Sequence, residues 1–177
     1  MTDLTTITPL EPKELQISSD SLPEELERLL SAPGVDWTGM MLGKSLNYNK
    51  KVPVIKKESK EYYMLLIAIR QLELSLKPAS PSQILNALAR LRLHFTSSYM
   101  SAEEFGCVLS DYIKDLETYP KDILEQACIK FRKTADSQFF PKIGQLIKLL
   151  NELWYPRKAK LNKLRRLLAV SNTQSQE

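Results

Sequence analysis

The stretch GMMLGKS, at residues 39–45, comes closest in this sequence to a site that could do chemistry, because it ends like a phosphate-binding loop. That motif needs four residues between its two glycines, so that successive backbone amides wrap the phosphates. Here only three residues separate Gly39 from Gly43, and Thr38 stands where the first glycine is required. The sequence therefore argues against nucleotide hydrolysis.

The other residues with catalytic potential stand alone. His94 is the only histidine and has no cysteine or carboxylate at metal-ligand spacing, which predicts a structural role at a helix end. Cys107 and Cys128 lack the spacing of a redox or zinc motif, and both are expected to be reduced core residues. Asp111 and Asp115 are one helical turn apart on a polar face, which indicates solvation rather than an acid–base pair. We expect neither enzymatic activity nor a cofactor.

Positive charge is concentrated at the C-terminal end of the chain. Residues 141–177 carry 8 Lys/Arg against 2 Asp/Glu, whereas residues 1–60 and 61–140 are close to neutral. Most of this charge falls on a helix predicted from Arg157 to about Ala169, which also carries a stripe of leucines. The candidate nucleic-acid-binding or partner-binding residues are Arg157, Lys158, Lys160, Lys163, Arg165 and Arg166.

Four roles fit this basic helix. Its leucines can pack on its own domain, or the helix can bind a nucleic-acid backbone, a groove of a partner protein, or an anionic membrane surface. If all six charges met DNA phosphates, the logarithm of the binding constant would fall with the logarithm of salt concentration with a slope of about −5.

A second candidate contact is the aromatic–proline junction QFFPKIGQL at residues 138–146. Proline suits the first turn of a helix and holds the preceding residue extended, so Phe139 and Phe140 should point to opposite sides. Either both phenylalanines anchor the core, or one packs between helices while the other contacts a partner. Trp154, in the following helix, is a further candidate for partner contact.

The elements that position these residues are all predicted to be helices. No segment alternates with period two, and residues 61–76 are apolar nearly all round, as in a helix covered by neighbours on several sides. A short amphipathic helix is predicted after Ser21. Serines followed three residues later by Gln or Glu predict capping boxes at Ser80 and Ser101.

Prolines mark the remaining helix boundaries. Pro120 and Pro141 each precede an apolar stripe of helical spacing and predict helix starts. Pro156 lacks the amide that a helix interior needs, which predicts a kink or break before the basic helix.

The predicted architecture is an all-α compact bundle of about five to six helices, with a basic C-terminal helix and a flexible N-terminal arm. Residues 1–20 and 171–177 are expected to be disordered, residues 21–60 to form a short helix and linker arm, and residues 61–170 the helical domain. No secretory leader is visible and the longest apolar stretch is too short to span a bilayer, so a cytoplasmic protein with no membrane partner is expected.

The segment DYIKDLETYPKDILEQACIKFRKTADSQFFPKIGQLIKLL resembles a pattern of small phage proteins. In that pattern a helix ends in a YP junction, an alanine-containing helix and a polar turn follow, and an FFPT junction opens the next helix. It is similar to the helicase loader and inhibitor proteins of Gram-positive phages, and to prophage-associated proteins of α-proteobacteria in which a basic helix follows. The resemblance covers residues 80–168. The matching residues are Tyr119, Pro120, Ala127, Phe139, Phe140, Pro141, Leu146 and Arg157.

Two positions depart from the pattern. Lys142 stands where the family has threonine and Gln145 where it has glutamate, so the usual capping box of that helix is missing. The resemblance implies a non-enzymatic DNA-replication accessory that contacts a replicative helicase and assists its loading. We expect the basic helix to supply contact either to DNA or to this partner.

Two other functions remain open. The chain could be a DNA-binding transcriptional regulator, although the second helix of the pair at residues 81–104 begins with the acidic AEEF. It could also be a structural protein that oligomerises through its helices. The sequence leaves the oligomeric state open.

Overall fold

A computed structural model describes residues 22–31, 53–95, 101–134 and 139–173, and no strand occurs among them. Six helices form the fold: α1 (Glu24–Leu30), α2 (Lys60–Ser75), α3 (Pro81–Arg92), α4 (Ala102–Leu116), α5 (Lys121–Lys133) and α6 (Ile143–Thr173). The predicted all-α bundle of five to six helices is confirmed.

Local signals set two helix starts as predicted. The Ser80 hydroxyl accepts a hydrogen bond from the Gln83 amide, and the Gln83 side chain accepts one from the Ser80 amide at 2.9 Å. Ser101 and Glu104 form the same reciprocal pair at the start of α4, at 2.8 Å and 3.1 Å. Both capping boxes satisfy amides that the first helical turn leaves without partners.

The start of α1 differs from the prediction. The helix begins at Glu24 with Pro23 in the capping position and has no side-chain cap, and Ser21 lies outside the described residues. The three acidic side chains of that turn interact favourably with the helix dipole in place of a side-chain cap.

The larger of two hydrophobic clusters lies between α3, α4, α5 and the first half of α6. The Ala79 amide donates to the Tyr119 carbonyl at 2.9 Å just before α3 and α5 begin, and the side chains of His94 and Arg132 meet at 2.7 Å where they end. These two helices therefore run parallel, side by side. The predicted inward residues of this pair are buried: Ile84, Leu88, Leu91, Phe95, Ile123, Leu124, Ala127, Cys128 and Phe131.

The second cluster joins α1, α2 and the second half of α6, and it also holds Ile55 from the segment before α2. The Ile55 amide donates to the buried Ser171 hydroxyl at 3.0 Å. This part of the expected linker arm is therefore packed on the bundle. The prediction of a loose tail is also wrong for residues 171–173, because α6 continues to Thr173.

Among the described residues, other helices cover only one face of α2, so the prediction of neighbours on several sides is wrong. Its inner face packs on α1 and α6 through residues such as Leu65 and Leu72. Its opposite face leaves Tyr63, Leu66 and Leu74 exposed. The apolar residues predicted to lie all round this helix thus include a stripe that meets no other helix of the described chain.

The helix α6 runs unbroken through Pro156 for 31 residues, so a break at this proline is excluded and a kink stays a prediction. At about 1.5 Å per residue it is roughly 46 Å long and reaches across both clusters. Leu150 and Leu161 are buried on either side of the proline, and this packing favours one continuous helix. Pro156 and Glu152 are exposed, so the carbonyl that loses its helical donor at Glu152 is near solvent.

Candidate functional site

The first residue of the predicted basic segment, Arg157, is buried inside the protein. Its guanidinium lies 2.7 Å from the Asp122 carboxylate of α5 and donates to the Ser75 carbonyl at the end of α2 at 3.2 Å. These two contacts fall where the two hydrophobic clusters meet along α6. The structure therefore gives Arg157 a role in holding the fold and does not place it on a binding surface.

Two more basic residues form ion pairs with their own chain. The Lys160 ammonium lies 3.0 Å from Glu27 of α1, and the Arg165 guanidinium lies 2.8 Å from Glu73 of α2. Together with Arg157, three of the six candidate charges are paired with carboxylates of the same protein. A nucleic-acid backbone would have to displace these carboxylates before it could use them.

The other three basic candidates differ in how exposed they are. Lys158 is exposed and its ammonium lies 4.5 Å from the centre of the Trp154 ring, while Lys163 and Arg166 are half-buried. The leucines of this segment are not accessible, because they pack against α1 and α2: Leu161, Leu164 and Leu167 are buried and Leu168 is half-buried. Packing on its own domain is thus the observed role of the apolar stripe, which leaves no apolar face for a membrane or a partner's groove.

The two phenylalanines of the aromatic junction lie in different environments. The Phe140 ring packs in the larger cluster, with ring centres 5.5 Å from Phe105, 6.1 Å from Tyr112 and 6.4 Å from Phe95. Phe139 is exposed. Phe140 is therefore the hydrophobic anchor between helices, and Phe139 is the surface residue of the pair.

The start of α6 keeps half of a capping box despite its departure from the phage pattern. The Gln145 side chain accepts a hydrogen bond from the Lys142 amide at 2.8 Å. Lys142 has no side-chain acceptor for the reciprocal bond. The Tyr112 hydroxyl also holds the start of α6, because it donates a hydrogen bond to the Pro141 carbonyl at 3.1 Å. Burial raises the pKa of Tyr112.

Trp154 lies at the edge of the larger cluster. It is half-buried, and its ring centre is 5.2 Å from that of Tyr119, whose hydroxyl donates to Asn151 at 2.9 Å. The neighbouring Tyr155 is exposed, with its ring 5.3 Å from Trp154. Trp154 therefore serves the core, and the exposed aromatic on this side of α6 is Tyr155, which the sequence did not single out.

The structure also shows where the residues considered for catalysis or metal binding lie. Cys128 is buried, which raises the pKa of its thiol to about 11. Cys107 is exposed, so its predicted place in the core is wrong: it follows Phe105 by two residues, or about 200° around the helix. Asp111 is exposed and lies 3.7 Å from Lys114, which confirms a solvated face. The residues of GMMLGKS lie outside the described chain.

No group of three or more His, Cys, Asp or Glu side chains in ranges 22–31, 53–95, 101–134 and 139–173 is placed to hold a metal ion. In the same ranges no helix has the length and apolar character needed to cross a membrane.

The helix pair α3–α4 does not have the form of a DNA-binding helix-turn-helix. Such a motif joins its two helices by a turn of about three to four residues. Here α3 ends at Arg92 and α4 begins at Ala102, and the first turn of α4 carries Glu103 and Glu104. Nothing in this geometry favours the transcriptional regulator.

One cluster of positively charged side chains could not be recognised from the sequence. The last turn of α3 carries Arg90 and Arg92, and the last turn of α5 carries Lys130, Arg132 and Lys133. Taken alone, each turn has the basic residues that commonly stabilise the C-terminal end of a helix dipole. Only the parallel packing of the two helices brings them together.

No family model, no curated protein and no solved structure matches this chain.

Proposed function

We propose that this chain is a non-enzymatic DNA-replication accessory of phage or prophage origin, which binds a replicative helicase in the cytoplasm and assists its loading. The choice of a helicase as partner rests on the resemblance of residues 80–168 to phage helicase loader and inhibitor proteins. Binding as the mode of action has a separate support in the surface of α2.

The observation that carries a binding function is the outer face of α2, which we define as Tyr63, Leu66, Ile67, Arg70 and Leu74. Tyr63, Leu66 and Leu74 have exposed fractions of 55%, 38% and 43%. These side chains share one side of the helix, opposite the face that packs on α1 and α6. Contiguous exposed apolar side chains with a cation among them are typical of protein interfaces.

Covering this face would be favourable in proportion to the apolar area removed from water, at about 25 cal/mol per Å². Arg70 supplies a charge that a partner carboxylate can meet, which adds specificity to the contact. A protein partner of mixed apolar and acidic character fits this face better than a nucleic acid does.

The test is binding to the purified replicative helicase of the bacterial host, measured by biolayer interferometry. The double variant Leu66→Gln/Leu74→Gln should weaken binding about tenfold or more, because it places two amides in the apolar contact. The matched control is Leu85→Gln on α3, which changes a leucine of similar exposure, 42%, outside this face.

The possible results separate the two parts of the proposal. Absence of helicase binding by the unaltered chain at micromolar concentration would overturn the helicase as partner. Binding that both variants retain equally would show that the outer face of α2 is not the contact.

A further inference from the structure

The parallel arrangement of α3 and α5 creates a surface that neither helix forms alone. We define the cationic end as Arg90, Arg92, His94, Arg132 and Lys133. His94 Nε2 and Arg132 Nη1 lie 2.7 Å apart and fix the two helix ends next to each other. Arg90 lies one turn before His94, and Lys133 directly follows Arg132, so these side chains project from one end of the bundle.

Part of the charge at this end has partners in the same chain: Lys130, in the last turn of α5, is paired with Glu152 at 2.6 Å, and the Arg92 guanidinium lies 3.6 Å from the centre of the Phe105 ring. The sequence has no Asp or Glu between residues 77 and 102, so α3 brings no acidic side chain to the surface. Of the acidic residues that begin α4, Glu104 is held in its capping box by the Ser101 amide at 2.8 Å. In contrast, three basic residues of α6 are paired with carboxylates of α1, α2 and α5. The local potential is therefore positive and favours an anionic ligand.

An exposed aromatic ring lies at the same end of the bundle as these basic residues. Phe139 is 59% exposed and directly precedes Phe140, whose ring centre lies 6.4 Å from that of Phe95. Phe95 follows His94 in the chain and its ring centre lies 6.0 Å from that of Phe131, the neighbour of Arg132. The ring cluster thus ties the exposed Phe139 to the same end of the bundle as the cations.

We infer that the cationic end binds single-stranded nucleic acid. Arg90, Arg132 and Lys133 contact phosphates, and the exposed ring of Phe139 stacks on an unpaired base. Sequence-independent binding of single strands has two parts. Cations contact the phosphate backbone, and an aromatic ring stacks on a base of any kind. A duplex satisfies only the first part, because its bases are already stacked on each other. This inference is independent of the proposed helicase contact, which uses α2.

The basic residues of the cationic end could instead serve only the stability of the fold, since cations at helix C-termini interact favourably with the helix dipole. Removal of these charges would then lower stability and leave nucleic-acid binding unchanged. The experiment therefore follows thermal unfolding by circular dichroism in parallel with binding.

The binding test uses fluorescence anisotropy of labelled oligo-dT and oligo-U of about 20 nucleotides, with a duplex of equal length for comparison. The triple variant Arg90→Gln/Arg132→Gln/Lys133→Gln should weaken single-strand binding about tenfold or more at low salt. The matched control, Lys56→Gln/Lys57→Gln/Lys60→Gln, removes the same charge from the segment before α2 and from its first residue, and should change the Kd less than about threefold.

Salt dependence gives a second readout. Three phosphate contacts on a single strand predict a slope of about −2 for the logarithm of the binding constant against the logarithm of salt concentration. The triple variant of the cationic end should bring this slope close to zero, while the control variant should keep it. The duplex should bind more weakly than either single strand.

A second pair of variants, one at the proposed site and one control, tests the stacking contact. Phe139→Ala should weaken single-strand binding about fivefold or more, since a stacked base contributes roughly 1–3 kcal/mol. Tyr155→Ala removes an aromatic ring of nearly equal exposure, 56%, from α6 and should leave the Kd unchanged.

Four results would overturn the inference. The unaltered chain could fail to bind both oligonucleotides at about 10 µM protein in low salt. The two triple variants could weaken binding equally, which would indicate net charge and no localised surface. The duplex could bind as tightly as the single strands. Polyglutamate could be retained where both oligonucleotides are not, which would assign the surface to an acidic protein.

Discussion

Replacing Arg157 with alanine should destabilise the fold, although the sequence placed this residue on a binding surface. Its guanidinium lies 2.7 Å from the Asp122 carboxylate and 3.2 Å from the Ser75 carbonyl, and the side chain is buried. These contacts join α6 to α5 and to the end of α2. The substitution removes all of them together with the packing of the arginine stem.

The magnitude follows from the exposure of the two acceptors. Breaking a fully buried ion pair costs about 3–5 kcal/mol, because the remaining charge has no partner. Asp122 has a side chain that is 46% exposed, so water can solvate it after the substitution. A lost hydrogen bond to Ser75 contributes about 1 kcal/mol. We therefore expect Arg157→Ala to lower the free energy of unfolding by about 2–3 kcal/mol.

Urea unfolding followed by circular dichroism measures this change. Arg157→Lys keeps the charge but lacks the planar fork that serves both acceptors, so it should lose about 1 kcal/mol. Arg166→Ala, on the same helix and half-buried, should change stability by less than about 0.5 kcal/mol.

A double-mutant cycle with Asp122→Ala isolates the ion pair. We expect a coupling energy of about 1–2 kcal/mol, between the values typical of exposed and of buried pairs. A loss below about 0.5 kcal/mol for Arg157→Ala would refute the reasoning. Normal stability combined with lost nucleic-acid binding would restore the surface role that the sequence suggested.

Four further predictions concern reactivity and stability. A thiol reagent at about pH 8 should modify Cys107 quickly and Cys128 only on unfolding, and equal rates would contradict their different exposure. Because burial raises the pKa of Cys128 from 9.0 to about 11, stability should fall as the pH rises from about 9 towards 11, and Cys128→Ala should remove that part of the loss. Glu58 has φ of 66°, so Glu58→Gly should raise the free energy of unfolding by about 0.5–1 kcal/mol, and a decrease would show that its side chain stabilises the turn. Leu164→Ala should lower it by about 2–5 kcal/mol in urea unfolding, because this fully buried residue fills the second cluster, and a loss below about 1 kcal/mol would mean that this part of α6 is not docked.

Features set by neighbouring residues could be predicted from the sequence. Both capping boxes depend on residues three positions apart, and the apolar stripes of α3 and α5 depend on spacings of three and four. Phe139 is exposed and Phe140 packs against the larger cluster, as expected where a proline favours an extended conformation of the residue before it. Each of these outcomes needs only local geometry.

The ion pairs and the exposure of the basic segment of α6 could not be predicted in the same way. The carboxylate that pairs with Lys160 lies 133 residues earlier in the chain, and the one that pairs with Arg165 lies 92 residues earlier. No local pattern connects such residues, because their proximity depends on how α1, α2 and α6 pack. The sequence therefore showed where the positive charges are in the chain, and it did not show which of them face solvent.

The continuity of α6 explains why charge in the sequence and charge on the surface differ. One helix spans both hydrophobic clusters, and its basic residues meet acidic residues of α1, α2 and α5 along its length. These ion pairs fix the long helix against shorter ones and neutralise three of its six basic candidates. The ends of α3 and α5 carry fewer cations, but their parallel packing adds the two sets together, and α3 itself has no acidic residue. A search for anionic ligands should therefore begin at the ends of α3 and α5, since electrostatic attraction depends on the summed field at the surface and not on the order of residues in the chain.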